Sequence, residues 1–277
     1  MNTFTGDLPD TKTYSERRWF FMGLTEPAAD GVLCWFSCGA PSTVAAKLTL
    51  QEYPDAKIVR IVIDTEHPDS ERYATEVSAW LGKEIVNIRG KYANQYEAIN
   101  STGFIKSAFG AKCTDELKKK VRAAYQRTGD LHIFGFDAEE GDRVEDFREN
   151  HPDLMFRAPV AEAGLTKSDC KLIVERAGIQ IPAMYRLGYA NNNCIGCVKG
   201  GMGYWNRIRI DFPGEFARMA ATERRIGATV LRHRSGPNKG ERLYLDELHP
   251  EAGRFETDQP GECGALCQVA LERVGLA

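Results

Sequence analysis

Long apolar runs are missing from this chain. Nowhere do its 277 residues approach the roughly 18 consecutive apolar positions needed to cross a bilayer, so neither a membrane-spanning helix nor a membrane partner is expected. A basic excess is missing as well. Lysine and arginine number 36 against 39 acids, a formal net charge of -3, which argues against a surface dominated by nucleic-acid binding. The first residues, Met1-Asn2-Thr3-Phe4-Thr5-Gly6-Asp7, lack the basic-then-apolar order of a secretory signal. A cytoplasmic, reducing location is therefore the expectation. There, eight cysteines are expected to be metal-bound, catalytic or simply buried rather than paired as disulfides. There is no internal repeat and no low-complexity segment.

What is present is a globular composition, 43% hydrophobic and 27% charged, on a chain long enough for one large or two small domains. Charge is unevenly spread. Residues 207–234 carry Arg207, Arg209, Arg218, Arg224, Arg225, Arg232 and Arg234 against three acids, and residues 137–153 are strongly acidic. The arginines form either a solvated helical face or a surface that meets phosphates.

Hydrophobic periodicity predicts a strand at 32–36, a helix at 42–52, a strand at 57–63 and a helix at 70–81. A third strand follows at 84–88. Thr114 is expected to cap a helix reaching about Arg127, and a fourth strand is expected at 131–136. Strand and helix alternate, which predicts an α/β fold with an open, mostly parallel sheet and flanking helices. Such sheets bind ligands at the carboxyl ends of their strands. Residues 37–42, 64–67 and 135–140 fall at those ends. The expected organisation is an N-terminal extension at 1–30, a nucleotide-binding α/β domain at 31–178, and a smaller helical and irregular cysteine-bearing region at 179–277 packed on the same domain.

The segment Ser37-Cys38-Gly39-Ala40-Pro41-Ser42-Thr43 has what a phosphate cradle needs. Gly39 permits close backbone approach, Ser37, Ser42 and Thr43 offer hydroxyls, Pro41 suits a first helical turn, and the helix aims free N–H groups at an anion. The plainer reading is a helix cap. Asp64 at the next strand end suits a ribose hydroxyl or an adenine edge, or again a cap, and Gly135 closes the fourth strand.

The cysteines divide by setting. Cys34 in a strand and Cys170 in a helix read as small buried groups. Cys194 and Cys197 form a Cys-x-x-Cys in a Gly- and Asn-rich loop. Together with Cys113, and with Cys267 or Cys263 as fourth ligand, they make a donor set for a [4Fe-4S] cluster or for zinc.

Four segments are similar to one family. Phe36-Ser37-Cys38-Gly39-Ala40-Pro41-Ser42 resembles the modified P-loop of the adenine nucleotide alpha hydrolase-like superfamily. Within it, Val62-Ile63-Asp64-Thr65-Glu66-His67-Pro68 resembles the "IDTGHxF" segment of the phosphoadenosine phosphosulfate (PAPS) reductase family. Leu165-Thr166-Lys167-Ser168-Asp169, then Gly178-Ile179 and Leu187-Gly188-Tyr189, resemble its "WTxxDVxxYIxxxxIPxxPLYxxGY" stretch. Glu262-Cys263-Gly264 resembles the start of its "ECGLH" motif. The resemblance covers roughly residues 30 to 265. It implies binding of an adenine nucleotide (PAPS, APS or ATP), a [4Fe-4S] cluster in preference to zinc, and Cys263 as the nucleophile that takes up a sulfonate. A thioredoxin-like donor would then resolve the thiosulfonate. The departures are Cys38 in place of the superfamily's first loop Gly, Pro41 in place of its Asp, Lys112 where iron–sulfur members have a second adjacent Cys, Asp137 in place of the Arg of "GxRxxES", and no terminal His after Gly264. The alternatives are an ATP-dependent iron–sulfur sulfurtransferase that thiolates tRNA or DNA, and a non-catalytic nucleotide- or metal-binding module.

Overall fold

The computed structural model describes residues 30–107, 110–127, 129–255, 271–272 and 274–275. The expectations for Cys263 and Cys267 lie outside these residues, as does nearly all of the N-terminal extension. Five parallel strands form the main sheet in the order β3-β2-β1-β6-β7. They are β1 (Gly31–Phe36), β2 (Lys57–Ile61), β3 (Ile85–Ile88), β6 (Asp130–Phe134) and β7 (Phe156–Arg157). The sequence Gly-Val-Leu-Cys-Trp-Phe of β1 is nearly continuous in apolar residues because the central strand of such a sheet is covered on both faces. Cys34 and Phe36 pack against helices on one side, while Leu33 and Trp35 pack with Val59 on the other.

Helix α1 (Ala40–Glu52) leaves β1 through an extended Gly39, with Pro41 in the first turn. Helix α2 (Asp69–Leu81) has Asp69 and Glu71 in its first turn, favourable to the dipole, and ends at Gly82 with φ 63°. Helix α3 (Gln95–Thr102) is capped by Asn94, whose side chain accepts from Glu97 N at 3.1 Å.

The expected Thr114 cap is not formed. Residues 112–125 are one continuous helix α4, α-helical at Lys112–Thr114, π-helical at Asp115–Lys119 and α-helical again at Lys120–Tyr125. Lys112 pairs with Asp115 (3.2 Å) and Glu116 (2.9 Å), and these (i, i+3) and (i, i+4) contacts draw the turn ahead of Thr114 into the helix. Cys113 therefore sits in a first helical turn. Beyond β6, helix α5 (Gly141–Asn150) and the strand β7 complete this half, and α6 (Pro159–Glu162) leads to α7 (Lys167–Arg176). A capping box starts α7: Thr166 accepts from Asp169 N, and Asp169 accepts from Thr166 N. Cys34 and Cys170 are fully buried.

The C-terminal region holds α8 (Ala183–Arg186), α9 (Met202–Asp211), α10 (Pro213–Ile226) and an antiparallel hairpin of β8 (Leu231–Arg232) with β9 (Arg242–Leu243). A short hairpin of β4 (Lys106–Ser107) and β5 (Gly110–Ala111) precedes α4. The second apolar cluster draws on Tyr96, Ile99 and Ile105 as well as Met184, Trp205, Ile208 and Leu245, so it crosses the 178/179 boundary and ties the two regions together. Among the described residues no helix is long and apolar enough to cross a membrane.

Glu223 of α10 is fully buried and accepts from Val230 N (2.6 Å) and Leu245 N (2.7 Å), holding both sides of the hairpin's base. Burial pushes its carboxyl up to about 7. A carboxyl raised in the folded state favours folding most fully below its unfolded pKa, and that contribution is lost as pH rises through the folded value. Amide-exchange protection at Val230 and Leu245 is expected to fall between about pH 5 and pH 8, and Glu223→Gln is expected to flatten that dependence.

Candidate functional site

The loop between β1 and α1 is folded on itself by its own hydroxyls. Ser37 N and Ser37 Oγ both donate to Ser42 Oγ (3.1 Å each), and Ser42 Oγ donates to Gly39 O at 2.9 Å. Thr43 Oγ1 donates to Gly39 O (3.0 Å) and lies 2.7 Å from the Tyr73 hydroxyl. No acid occupies the first turn of α1, so nothing there neutralises the positive end of its dipole. Two backbone positions shape the cradle. Cys38 has φ 55°, the one non-glycine residue with positive φ among the described residues, a conformation that favours glycine. Gly135 packs so closely on the start of α1 that a Cβ would fall 2.5 Å from Ser42 Cα and 2.6 Å from Ser42 N. A third residue reaches in from far along the chain: Asn192 Nδ2 donates to Cys38 O (2.8 Å) and to Ser70 Oγ (3.3 Å). Asn192→Ala is expected to remove about 1 kcal/mol per lost hydrogen bond. Calorimetric titration with nucleotide should then show several-fold weaker binding.

In front of this loop lies a cavity of about 860 Å³. Ser37, Gly39, Pro41, Ser42 and Gly135 form one wall, and Lys118, Lys119 and Arg122 of α4 face them. Arg122 lies over the rings of Phe134 and Phe147, 5.2 Å from each centroid. Glu66 also lines the cavity; its carboxylate accepts from the buried Arg60 at 2.9 Å. Burial raises the Glu66 pKa, with Arg60 opposing.

A second cavity of about 840 Å³ adjoins the first and is lined by Cys113, Cys194 and Cys197. Cys113 comes from the first turn of α4. Cys194 and Cys197 come from the loop before α9, which is pinned from both sides. Tyr204 accepts from Cys197 N (2.8 Å) and donates to Cys194 O (3.4 Å). Ile195 N donates to Thr65 O (2.8 Å), and Gln95 Nε2 donates to Ile195 O (3.0 Å). Tyr204→Phe leaves the Cys197 amide without its acceptor, a cost of about 1–3 kcal/mol. Thiolate-bound metal should be held more weakly in that variant, with nucleotide affinity unchanged, as metal analysis and calorimetry together would show.

Thr114, Lys118, Arg143, Asn191 and Asn193 line both cavities, so an anion on the loop and a thiol in the second cavity face a common wall. Burial raises the Cys113 thiol, and it pushes Cys194 up to about 12 with Lys118 opposing. Burial thus favours the neutral thiol at both positions, and a metal would have to displace its proton to bind there. Among the described residues no three His, Cys, Asp or Glu side chains are drawn together tightly enough to hold a metal ion. The three thiols nevertheless supply soft donors on one cavity, the chemistry that suits an iron–sulfur centre or zinc.

No family model matches this sequence, and no match is found among curated proteins. The site therefore stands on its own geometry.

Of the residues singled out from sequence, Ser37, Gly39, Ser42 and Gly135 meet at the first cavity, and Cys113, Cys194 and Cys197 meet at the second. Ala40 and Thr43 are buried behind the loop. Asp64 lines neither cavity; half exposed, it pairs with Arg89. Asp137, standing where the family has Arg, is buried and caps the turn Ala138–Glu140. Arg143, farther along the same segment, stands on the shared wall in an ion pair with Glu140. His132 accepts from the Trp35 indole at 3.2 Å, and His67 accepts from Asp69 N at 3.1 Å, both supporting roles. Lys118, Asn192 and Tyr204 were not foreseen. Lys118 follows Cys113 by five residues, a spacing that the π-helical turn brings round to both cavities, whereas Asn192 and Tyr204 act through long-range contacts with no local signature.

Proposed function

We propose that this chain is a PAPS reductase-like oxidoreductase that binds an adenine nucleotide or sulfonucleotide at the β1–α1 loop and performs thiol- and iron–sulfur-dependent sulfur chemistry at the neighbouring cysteines. One observation carries the reading: the phosphate-type loop and the three thiols open onto adjoining cavities whose shared wall carries Lys118 and the Glu140-paired Arg143. The loop hydroxyls and the α1 N-terminus would hold the nucleotide's phosphate. Lys118 and Arg143 would hold the anionic group that projects toward the cysteines, stabilising charge where it develops. Cys113, Cys194 and Cys197, with a fourth thiol from Cys267 or Cys263, would hold the cluster. Held by these residues, such a cluster would supply electrostatic and redox support to sulfur chemistry. In the sulfonucleotide reading, the Cys263 thiolate attacks the sulfonate sulfur, the sulfur–oxygen bond to phosphate breaks, and the nucleotide leaves with both electrons of that bond. The resulting thiosulfonate is then resolved by a dithiol of the thioredoxin type.

The test is anaerobic purification with measurement of iron, sulfide and zinc, followed by calorimetric titration with adenosine 3′,5′-bisphosphate, APS and ATP. Iron and sulfide in equal amounts, together with saturable nucleotide binding, support the reading. Stoichiometric zinc without iron removes the cluster from it, and absence of nucleotide binding removes the loop.

A further inference from the structure

The arginines between 207 and 234 separate into two groups. Those on helices α9 and α10 are engaged within the protein. Arg207 pairs with Asp211 at 2.6 Å, Arg209 donates to Leu245 O and Leu248 O, and Arg224 pairs with Asp246 and Glu247 at 2.7 Å. Arg218 lies over the Tyr96 ring, and Arg225 donates to Asn100. The hairpin cations differ. Arg232 donates to Gly240 O at 2.6 Å and Arg242 to Gly227 O; both acceptors are neutral backbone carbonyls, and among the described residues no carboxylate pairs with either. Among the described residues no carboxylate pairs with Arg234 or Lys239, and the only acid between 227 and 244 is Glu241.

The ladder register makes the pattern costly. Leu231 stands opposite Leu243, and Arg232 opposite Arg242. The leucine pair is buried and the arginine pair is exposed on the other face. Directly opposed side chains have Cβ atoms about 4.5–5.5 Å apart, and like charges at that spacing destabilise the pair. From these opposed positions Arg232 reaches toward Gly240 at the turn and Arg242 toward Gly227 at the base, so the two guanidiniums spread their charge along the exposed face of a ribbon whose tip adds Lys239. Arg234 continues the series inward, where it lines the cysteine cavity with Lys199 and Arg254.

We propose that the β8–β9 hairpin docks the phosphate backbone of a polynucleotide and presents it at the mouth of the cysteine cavity. The inference rests on reading that cavity as the place where sulfur chemistry occurs, and it adds a macromolecular ligand that the nucleotide loop does not require. The chain's net charge of -3 makes the attraction local to the hairpin. Each guanidinium keeps N–H groups beyond its one backbone contact, which suits it to phosphate oxygens, and cations spread along one exposed face suit a partner whose charges recur at short, regular intervals.

The experiment uses the full chain and a fluorescein-labelled single strand of about 20 nucleotides, longer than the roughly 4–16 that one such surface covers. Anisotropy titrations over a salt series are run on wild type, on Arg232→Gln/Arg242→Gln, on Arg232→Lys/Arg242→Lys, and on Lys57→Ala/Lys83→Ala, whose sites lie at the amino ends of β2 and β3, away from both cavities. Wild type should bind with an affinity that falls linearly in log–log form with salt. The glutamine pair should bind at least about tenfold more weakly at low salt, with a slope smaller by about 1.4. The lysine pair should keep the wild-type salt slope, because the charge count is unchanged, and bind more tightly than the glutamine pair, and the Lys57/Lys83 control should behave as wild type. Absence of binding by wild type, equal loss in the control, or displacement of the oligonucleotide by polyglutamate at equal charge would overturn the proposal, the last in favour of an acidic protein partner. Calorimetry with a mononucleotide on the same samples reads the loop separately. Loss there, with oligonucleotide binding intact, counts against the nucleotide reading alone.

Discussion

Cys197→Ala and Cys194→Ala are each expected to purify with almost no bound iron or sulfide while keeping wild-type affinity for mononucleotide. A cluster of the four-iron type needs four thiolates, and the described residues offer three of them on one cavity. Losing a contact that merely orients a ligand costs about 10–100-fold in metal affinity, so losing the ligand itself should exceed that range. Cys170→Ala is the matching control. Its thiol is fully buried and packs in the main core. It should cost about 1–3 kcal/mol of stability as a small cavity mutation and leave the metal content unchanged. Metal analysis with an unfolding curve on each variant separates the two roles. If Cys194→Ala kept a full complement of metal, that thiol would not be a ligand.

Gly135→Ala is expected to have the second large effect, on the other cavity. The added methyl would meet the Ser42 backbone at 2.5–2.6 Å, a contact with main chain rather than with a side chain that can swing away. Overpacking of this kind costs about 1–3 kcal/mol. Relief can come only by moving the strand end away from the helix that forms the cradle. Because 1.4 kcal/mol is a factor of ten in affinity, nucleotide binding should weaken at least about tenfold, with metal content unaffected. The pair of results forms a crossed pattern: cysteine variants lose metal and keep nucleotide, and the glycine variant does the reverse. Cys38→Gly extends the argument. At φ 55° a side chain carries about 1 kcal/mol of strain, and removing it offsets the lost burial of the thiol. This variant should bind nucleotide as well as wild type, whereas a β-branched Cys38→Val should not.

The sheet and the loop were legible because their signals are local. An apolar run such as Val32-Leu33-Cys34-Trp35-Phe36, followed by Ser, Gly and Pro, specifies a buried strand, a tight turn and a helix start within a dozen residues. The Cys-x-x-Cys was legible for the same reason. Other features depend on partners distant in the chain. Asn192 reaches Cys38 O across 154 positions, and nothing near it in sequence marks it out from Asn191 and Asn193. The start of α4 was misplaced because Thr114 looks like a cap, while the contacts that decide the matter run from Lys112 to Asp115 and Glu116. The arginine-rich stretch was visible as composition. Its division into ion-paired arginines on α9 and α10 and hairpin cations that meet no carboxylate among the described residues depends on where Asp211, Asp246 and Glu247 come to lie.

The central claim is that the nucleotide loop and the cysteine cavity form one site. The measurement that tests it most directly is the rate of alkylation of Cys113, Cys194 and Cys197 in reduced, chelator-treated protein, read by mass spectrometry with and without saturating adenosine 3′,5′-bisphosphate. Nucleotide is expected to slow modification of these thiols in wild type, and Gly135→Ala, at the same nucleotide concentration, is expected to lose the protection. Unchanged rates in wild type, at a concentration where calorimetry shows the loop to be filled, would contradict it.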